Sequence, residues 1–554
     1  MPAMSRPLLG VAAAALTAVA LVVGAIVFLR PASAAPGSAS GAPRFVEEAI
    51  AAGIDHAYDG DFTYFVGGGV AVFDCDGDGR QDLYVAGGER PAALYRNESS
   101  TGGALRFARV ADPTIDLTAV TGAYPLDVDG DRETDLAVLR LGENAMFRGL
   151  GDCRFERANE AWGIDGGEDW TAAFSATWEG SAALPTLAFG NYLVLDDAGE
   201  WTGDCADHTL FRPAPAGDGY GAPLALTPGW CTLSLLFSDW DRAGRRDLRA
   251  TNDQHYSQNG QEQLWRIAAG EPPHLYTADE GWRRMRIWGM GIASQDLTGD
   301  GLPEVFLTSQ GDNKLQTLVD GPSRPTYQDI AVALGATAHK PYAGDTTLPS
   351  TAWHAEFQDV NNDTFMDLFV AKGNLEEQPD YAMKDPNNLL LGQPDGAFVE
   401  GAEAAGIVSY AKARGAALAD LNLDGLLDLV VVNRRDPVTL WRNVGAGTAD
   451  APVPIGNWLA LRLDDAEASN HDAIGARVAV KVGDRVTERE VTIGGGHAGG
   501  QLGWIHFGLG AADRAEVRVI WPDGEVGPWL PATANRFATV TRGATQILPW
   551  QPGG

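Results

Sequence analysis

Five stretches of this chain place side-chain oxygens at positions 1, 3, 5 and 9 of a nine-residue run. They are Asp74, Asp76, Asp78 and Asp82; Asp127, Asp129, Asp131 and Asp135; Asp296, Thr298, Asp300 and Glu304; Asp359, Asn361, Asp363 and Asp367; and Asp420, Asn422, Asp424 and Asp428. A backbone carbonyl is available at position 7 of each. A hard cation that takes about six to eight oxygens is wrapped by this kind of loop, so the pattern predicts calcium as the cofactor. An EF-hand is excluded. It needs a bidentate Glu at position 12 between two helices, and position 12 here is Val85, Val138, Leu307, Val370 or Val431.

The flanks of each loop are short apolar runs, such as Gly69–Phe73 before the first loop and Leu83–Ala86 after it. Bounded by Gly and Asp, such runs read as β-strands. A third strand follows at Ala93–Asn97 or Thr439–Asn443, and a fourth within Asp152–Ile164 or Gly396–Ile407. Four strands repeated at this period predict a β-propeller rather than a solenoid. A degenerate copy at Asp239–Asp247 has Ala243 in place of the fifth-position ligand, and a more eroded one between Ala173 and Phe189 has no carboxylate cage. Loop starts near 74, 127, 177, 239, 296, 359 and 420 give seven blades. Arg44–Ile54 looks like a fourth strand with no blade before it, so it is expected to complete the last blade and close the ring.

The predicted fold is therefore all-β: a seven-bladed β-propeller over 44–444, a linker at 445–456 and a small β-sandwich over 457–545. The sandwich is read from alternating runs at Trp458–Leu463, Ile474–Val480, Arg489–Ile493 and Val517–Trp521. Residues 1–35 carry Arg6 and an uncharged stretch from Leu8 to Leu29, an export signal. Ala32-Ser33-Ala34 offers a cleavage site, and the stretch is also long enough to remain as a membrane anchor. The net charge of −33 excludes a basic footprint for nucleic acid. Four cysteines in an exported chain suggest two disulfides. Cys205 with Cys231 would staple an irregular excursion between the third and fourth blades. Cys75 and Cys153 are then left to pair or to stay as thiols.

Residues entering the first strand and leaving the second should open on the face opposite the loops. Trp170, Trp288, Trp353 and His354 enter there; Asp253, His255, Asp312, Asn374 and Arg434 leave. Aromatics and polar groups around a funnel predict a site for an extracellular protein, peptide or glycan. His497 and His506 could share a metal, although turn geometry and packing account for them more simply. No nucleophile elbow, phosphate loop, His-Glu-x-x-His or Cys-x-x-Cys motif occurs.

The C-terminal stretch resembles the ASPIC/UnbV domain at Asn457–Leu459, Ile474–Val478, Gly494–Gly496, His506–Gly510 and Trp521–Gly524. The repeats resemble FG-GAP/VCBS blades of the kind that build the integrin α head. Together they are similar to the cartilage acidic protein family in its bacterial form, without the EGF-like module of the animal members. That resemblance implies a secreted or surface calcium-binding protein. Two functions are compatible with these residues: a non-catalytic binding or adhesion module, and an extracytoplasmic lyase or tailoring enzyme. An acid–base pair drawn from Asp253, His255, His354 and Glu356 would favour the enzyme.

Overall fold

A computed structural model describes residues 41–253 and 260–552 of the 554-residue chain. The described residues belong to one compact unit, Ala39–Gly554. The segment expected to act as an export signal lies outside the described residues, and so does His255. Among the described residues no helix is long and apolar enough to cross a membrane.

The polypeptide between 45 and 443 forms seven four-stranded antiparallel sheets, six of them assembled in simple sequence order. The first sheet is Val70–Phe73, Asp82–Val85, Ala93–Asn97 and Phe107–Val110; the second begins at Val120–Leu126 and the third at Thr171–Thr177. The fourth begins at Thr232–Ser238, the fifth at Gly289–Gln295, the sixth at Ala352–Gln358 and the seventh at Lys412–Ala419. First strands are buried along their whole length in the second, third and fourth sheets, because a neighbouring sheet covers each face. That is why they read as continuous apolar or small-residue runs. Fourth strands such as Phe155–Arg157 expose two of three residues and form the outer edge.

Each first strand packs on the first strand of the next sheet, and the seventh packs on the first. Closure is by hydrogen bonding: Phe45–Glu47 pairs with Thr439–Asn443, in the register Phe45↔Asn443 to Glu47↔Trp441, and supplies the seventh sheet's fourth strand. Arg442 and Glu48 clamp the seam at 2.9 Å. After the fourth strands of the second, fifth, sixth and seventh sheets the chain makes one helical turn, ended by Gly163, Gly335, Gly406 or Gly53 in the left-handed region.

Both disulfides form, Cys75–Cys153 and Cys205–Cys231. The excursion around Cys205 differs from expectation. It belongs to the third sheet, whose outer strands are His208–Phe211 and Leu224–Leu226, with a two-stranded ribbon (Leu193–Leu195, Trp201–Cys205) inserted before them. The first of those outer strands follows Cys205 by three residues, and the bond ties the ribbon to Cys231 at the foot of the fourth sheet's first strand.

The C-terminal part forms two four-stranded sheets. One orders Ile505–Gly510, Asn457–Asp464, Arg536–Thr541 and Leu548–Trp550; the other orders Arg485–Glu490, Arg477–Val482, Arg514–Ile520 and Leu530–Thr533. Leu459, Leu461, Val478, Val480, Phe507 and Val517 fill the space they share. The strand expected at Arg489–Ile493 ends at Glu490, and the residues beyond it leave the sheet.

Candidate metal centres and the central channel

The acidic loops join first to second strands, so all of them lie on one face of the ring. In each, the position-1 carboxylate folds the loop by accepting backbone N–H groups at positions 4 or 5 and 6. Gly77 and Gly79 donate to Asp74 at 2.8 and 2.9 Å, and Asp363 and Thr364 donate to Asp359 at 2.9 and 2.7 Å. The position-9 carboxylate has a tethering role that its place in the motif did not reveal. Asp82 accepts from Cys75 and Asn97, Asp135 from Val128 and Gly149, and Asp428 from Leu421 and Asn443. One bond reaches the loop's own position 2 and the other reaches the third strand, so this residue fastens the loop to the sheet.

The remaining oxygens converge. Asp74, Asp76 and Asp78 each offer an oxygen within 4.8 Å of the others, as do Asp127, Asp129 and Asp135. Burial, with repulsion from neighbouring carboxylates, pushes Asp127 up to about 7 and Asp359 and Asp135 to about 8. Position 3 provides the test of fit. Asp129 Oδ1, Thr298 Oγ1 and Asn422 Oδ1 are buried oxygens with no hydrogen-bond partner among the described residues. Three orphaned acceptors at one motif position, in three separate loops, match the demands of a hard cation. In the second loop Arg148 reaches in from the third strand and pairs with Asp129.

The two sheets without a full ligand set carry a built-in cation instead. In the fourth, the Arg245 guanidinium lies 2.7 Å from Asp247 and 3.6 Å from Asp241, spanning positions 9 and 3 of the degenerate loop. In the third, Arg212 makes a two-pronged pair with Glu179 at 2.7 and 3.0 Å. This substitution yields a prediction. Restoring the motif with Ala243→Asp and removing the guanidinium with Arg245→Ser adds one bound calcium ion per chain, counted by titration calorimetry. An unchanged count would show that Arg245 is not standing in for a metal.

The face opposite the loops does not open into a funnel. Trp170 and Trp353 are fully buried and pack with Phe65, Tyr192 and Met290 across the centre of the ring. Trp170 meets Tyr192 edge-on at 5.2 Å; the Trp353 indole donates to Gly373 O at 2.7 Å, with the Arg414 guanidinium 4.0 Å over its ring. The gap left by seven first strands is narrow enough for these side chains to fill, so they are packing rather than rim. Arg434 is equally buried, donating to the carbonyls of Tyr64, Gly60 and Asp61 and pairing with Glu376. Asn374 is spent on the turn that follows it, and Asp253 accepts from Tyr192 at 2.7 Å. Trp288 is half-buried with Tyr381 edge-on at 6.5 Å, and exposed Asp312 contacts His339 at 2.6 Å. Among the described residues of the expected site, only these last two, Trp288 and Asp312, remain on the surface.

From the loop side, the channel is entered by residues 493–503 of the C-terminal part, a glycine-rich finger. It bonds the first strands of six sheets in turn. Gly500 O accepts from Val72, Ala498 O from Ala123, and Ile493 O from the Ser175 hydroxyl. Gly495 donates to Leu235 O at 2.7 Å and Gly496 to Ile292 O at 2.6 Å, while the His497 N–H donates to His354 Nδ1 at 3.2 Å. Glycine recurs five residues before the first ligand, at Gly69, Gly122, Gly291 and Gly415. A Cβ at Gly69 or Gly122 would stand 1.7 or 2.0 Å from Ala498 O. His354 occupies that same repeat position in the sixth sheet.

His497 is held inside by Nδ1 against Met290 O (3.1 Å) and by Nε2, which accepts from the Gly67 N–H (3.2 Å). Those contacts place its single proton on Nδ1, and burial, reinforced by Arg414, lowers its pKa to about 3. His506 is bonded to Asn362 instead, at 2.6 Å. The two histidines therefore serve separate contacts.

His354, with its Nδ1 taken, carries its proton on Nε2, which lies 3.6 Å from Glu356 Oε2. Both line a chamber of about 220 Å³ between the ring and the C-terminal sheets, together with Gln295, Arg489 and Trp504.

Residues 74–138 and 359–431 match the FG-GAP-like repeat family, and residues 466–547 match the ASPIC and UnbV family. No curated protein matches the chain. Among solved structures it is similar to BBS1N in complex with ARL6DN (10% identity over 71% of this chain and 94% of that one, TM-score 0.41). It is also similar to AofleA from Arthrobotrys oligospora (10% identity, 61% and 86% covered, TM-score 0.35). A third is an Agrocybe aegerita lectin that recognises non-reducing terminal N-acetylglucosamine (15% identity, 72% and 85% covered, TM-score 0.30). With FG-GAP-like repeats in the ring and an ASPIC/UnbV domain seated on its loop face, the chain has the domain architecture of the cartilage acidic protein family.

Proposed function

We propose that this chain is an exported binding module built on a seven-bladed β-propeller, with calcium in five loops holding the blades rigid. The observation that carries the calcium reading is the row of orphaned position-3 oxygens at Asp129, Thr298 and Asn422. The two metal-poor sheets support it, since each has an arginine paired with its remaining acid. Two disulfides fit an oxidising, extracytoplasmic setting, where calcium is plentiful. The residues would supply carboxylate, amide and hydroxyl oxygens to the ion, and the ion would offset carboxylates that are otherwise buried side by side.

The surface proposed for an extracellular protein, peptide or glycan is the loop-free face around the buried tryptophans. Exposed Phe62, half-buried Trp288, Tyr381 and the Asp312–His339 pair stand there. Glycan and peptide arrays probed with and without calcium test this reading. Capture by the native chain, lost in Trp288→Ala with melting unchanged, supports it; no capture on any array overturns it.

The His354–Glu356 pair in the chamber favours a second reading, an enzyme acting on a carbohydrate or small molecule. It requires that purified protein consume such a substrate and that Glu356→Gln abolish turnover.

A further inference from the structure

The C-terminal domain rests on the loops themselves, and its contacts fall at a repeated place within them. In the first loop, Trp504 Nε1 donates to Gly79 O at 2.9 Å, and the Arg462 guanidinium lies 4.4 Å over the Trp504 ring and 3.6 Å from Asp74. In the second, His471 Nε2 lies 3.0 Å from Gly130 O, and Arg132 pairs with Asp464 at 3.0 Å. In the sixth, Gly510 donates to Asn362 O at 2.8 Å, His506 engages the Asn362 amide, and Arg485 donates to Thr364 O at 3.0 Å. In the seventh, Trp458 covers Gly425, where an added Cβ would stand 1.8 Å from the indole nitrogen.

Gly79, Arg132, Thr364 and Gly425 occupy motif position 6; Gly130 and Asn362 occupy position 4. These are the residues between the ligands. Their backbone is placed by how tightly positions 1, 3 and 5 are drawn together. The fifth loop differs: its tip is held by Arg242 of the neighbouring degenerate loop, which donates to Gly301 O at 2.7 Å.

We infer that calcium occupancy and seating of the C-terminal domain form one coupled equilibrium. The domain positions the first, second, sixth and seventh loops for the ion, and the ions fix the seat from which the 493–503 finger enters the channel. The inference rests on the calcium reading above. Without the cation, buried like charges spread the ligand positions and displace the carbonyls on which Trp504, His471, Arg485 and Gly510 dock. Linkage then requires the reverse effect: a loosened domain weakens calcium binding at those loops. The C-terminal domain reaches the fifth loop's tip through Arg242, which pairs with Glu490 at 3.3 Å, and not through Trp504, so that loop is the comparison for a change made at Trp504.

Hydrogen exchange on the full chain tests this, with calorimetry of calcium binding alongside. Chelation is expected to raise exchange at least tenfold in the amides of 493–503. Trp504→Phe keeps the ring and removes the donor. At half-saturating calcium it is expected to deprotect loop 74–82 severalfold while leaving loop 296–304 at its native rate. Calorimetric calcium binding with unchanged exchange at 493–503 overturns the coupling alone. Equal deprotection of both loops in Trp504→Phe, or of neither, also overturns it. An absence of calcium heat in the native chain overturns the calcium reading, and the coupling falls with it.

Discussion

Chelating calcium is expected to lower the melting temperature of this protein by about 10 °C or more. A ligand bound only to the folded state at a hundred times its dissociation constant adds ~2.7 kcal/mol per site, so five filled sites together add on the order of 10 kcal/mol. The effect is large because the carboxylates concerned are deeply placed: Asp359, Asp367 and Asp428 are at most 1% exposed. Unneutralised, they cost free energy on burial. Asp424→Ala removes one ligand of the seventh loop and should abolish part of the calcium-dependent shift without changing the melting temperature in chelator by a comparable amount. Scanning calorimetry in calcium and in EGTA reads both. A melting temperature indifferent to EGTA would reduce the loops to well-made turns.

The second large effect is expected at a glycine far from any acidic group. Gly122→Ala directs a methyl to within 2.0 Å of the Ala498 carbonyl oxygen, in backbone of ordinary φ, so the whole penalty is the collision. Either the finger or the second sheet's first strand must move, at a cost of about 3 kcal/mol or more. The same change at Gly221, where the nearest atom is 3.7 Å away, is the control and should fall within about 0.5 kcal/mol of the native protein. Equal denaturation midpoints for the two variants would mean that the finger is not firmly housed.

Much of the ring was legible because its signals are local. Each loop announces itself within nine residues, and the flanking runs are apolar because both faces of the inner strands are covered. Arg44–Ile54 could be assigned to the last sheet because it repeats the pattern of Gly396–Ile407. The burial of Trp170 and Trp353 on the candidate ligand face was missed for the converse reason. Whether Trp170 and Trp353 line a funnel or stop it depends on the width of the gap between seven strands, and that width is written in no single repeat. The finger escaped notice because its partners are mostly main-chain groups, spread over six different sheets. A trace was present in the glycines that recur five residues ahead of the loops at Gly69, Gly122, Gly291 and Gly415, and in the single histidine that replaces them at 354.

The seam between Phe45–Glu47 and Thr439–Asn443 constrains how the protein can be made. Glu48 meets Arg442 across 394 positions of sequence, and Gly67 meets His497 across 430. A chain emerging amino end first holds its opening strand unpaired until nearly everything else has followed. The second to sixth sheets can gain both neighbours in an open arc, but the first and seventh each stay bare on one side until the circuit shuts. Such long-range closure is slow. Loops completed early are therefore expected to be open to calcium before the last join is made, so that the ion would act on the assembling ring as well as on the finished one.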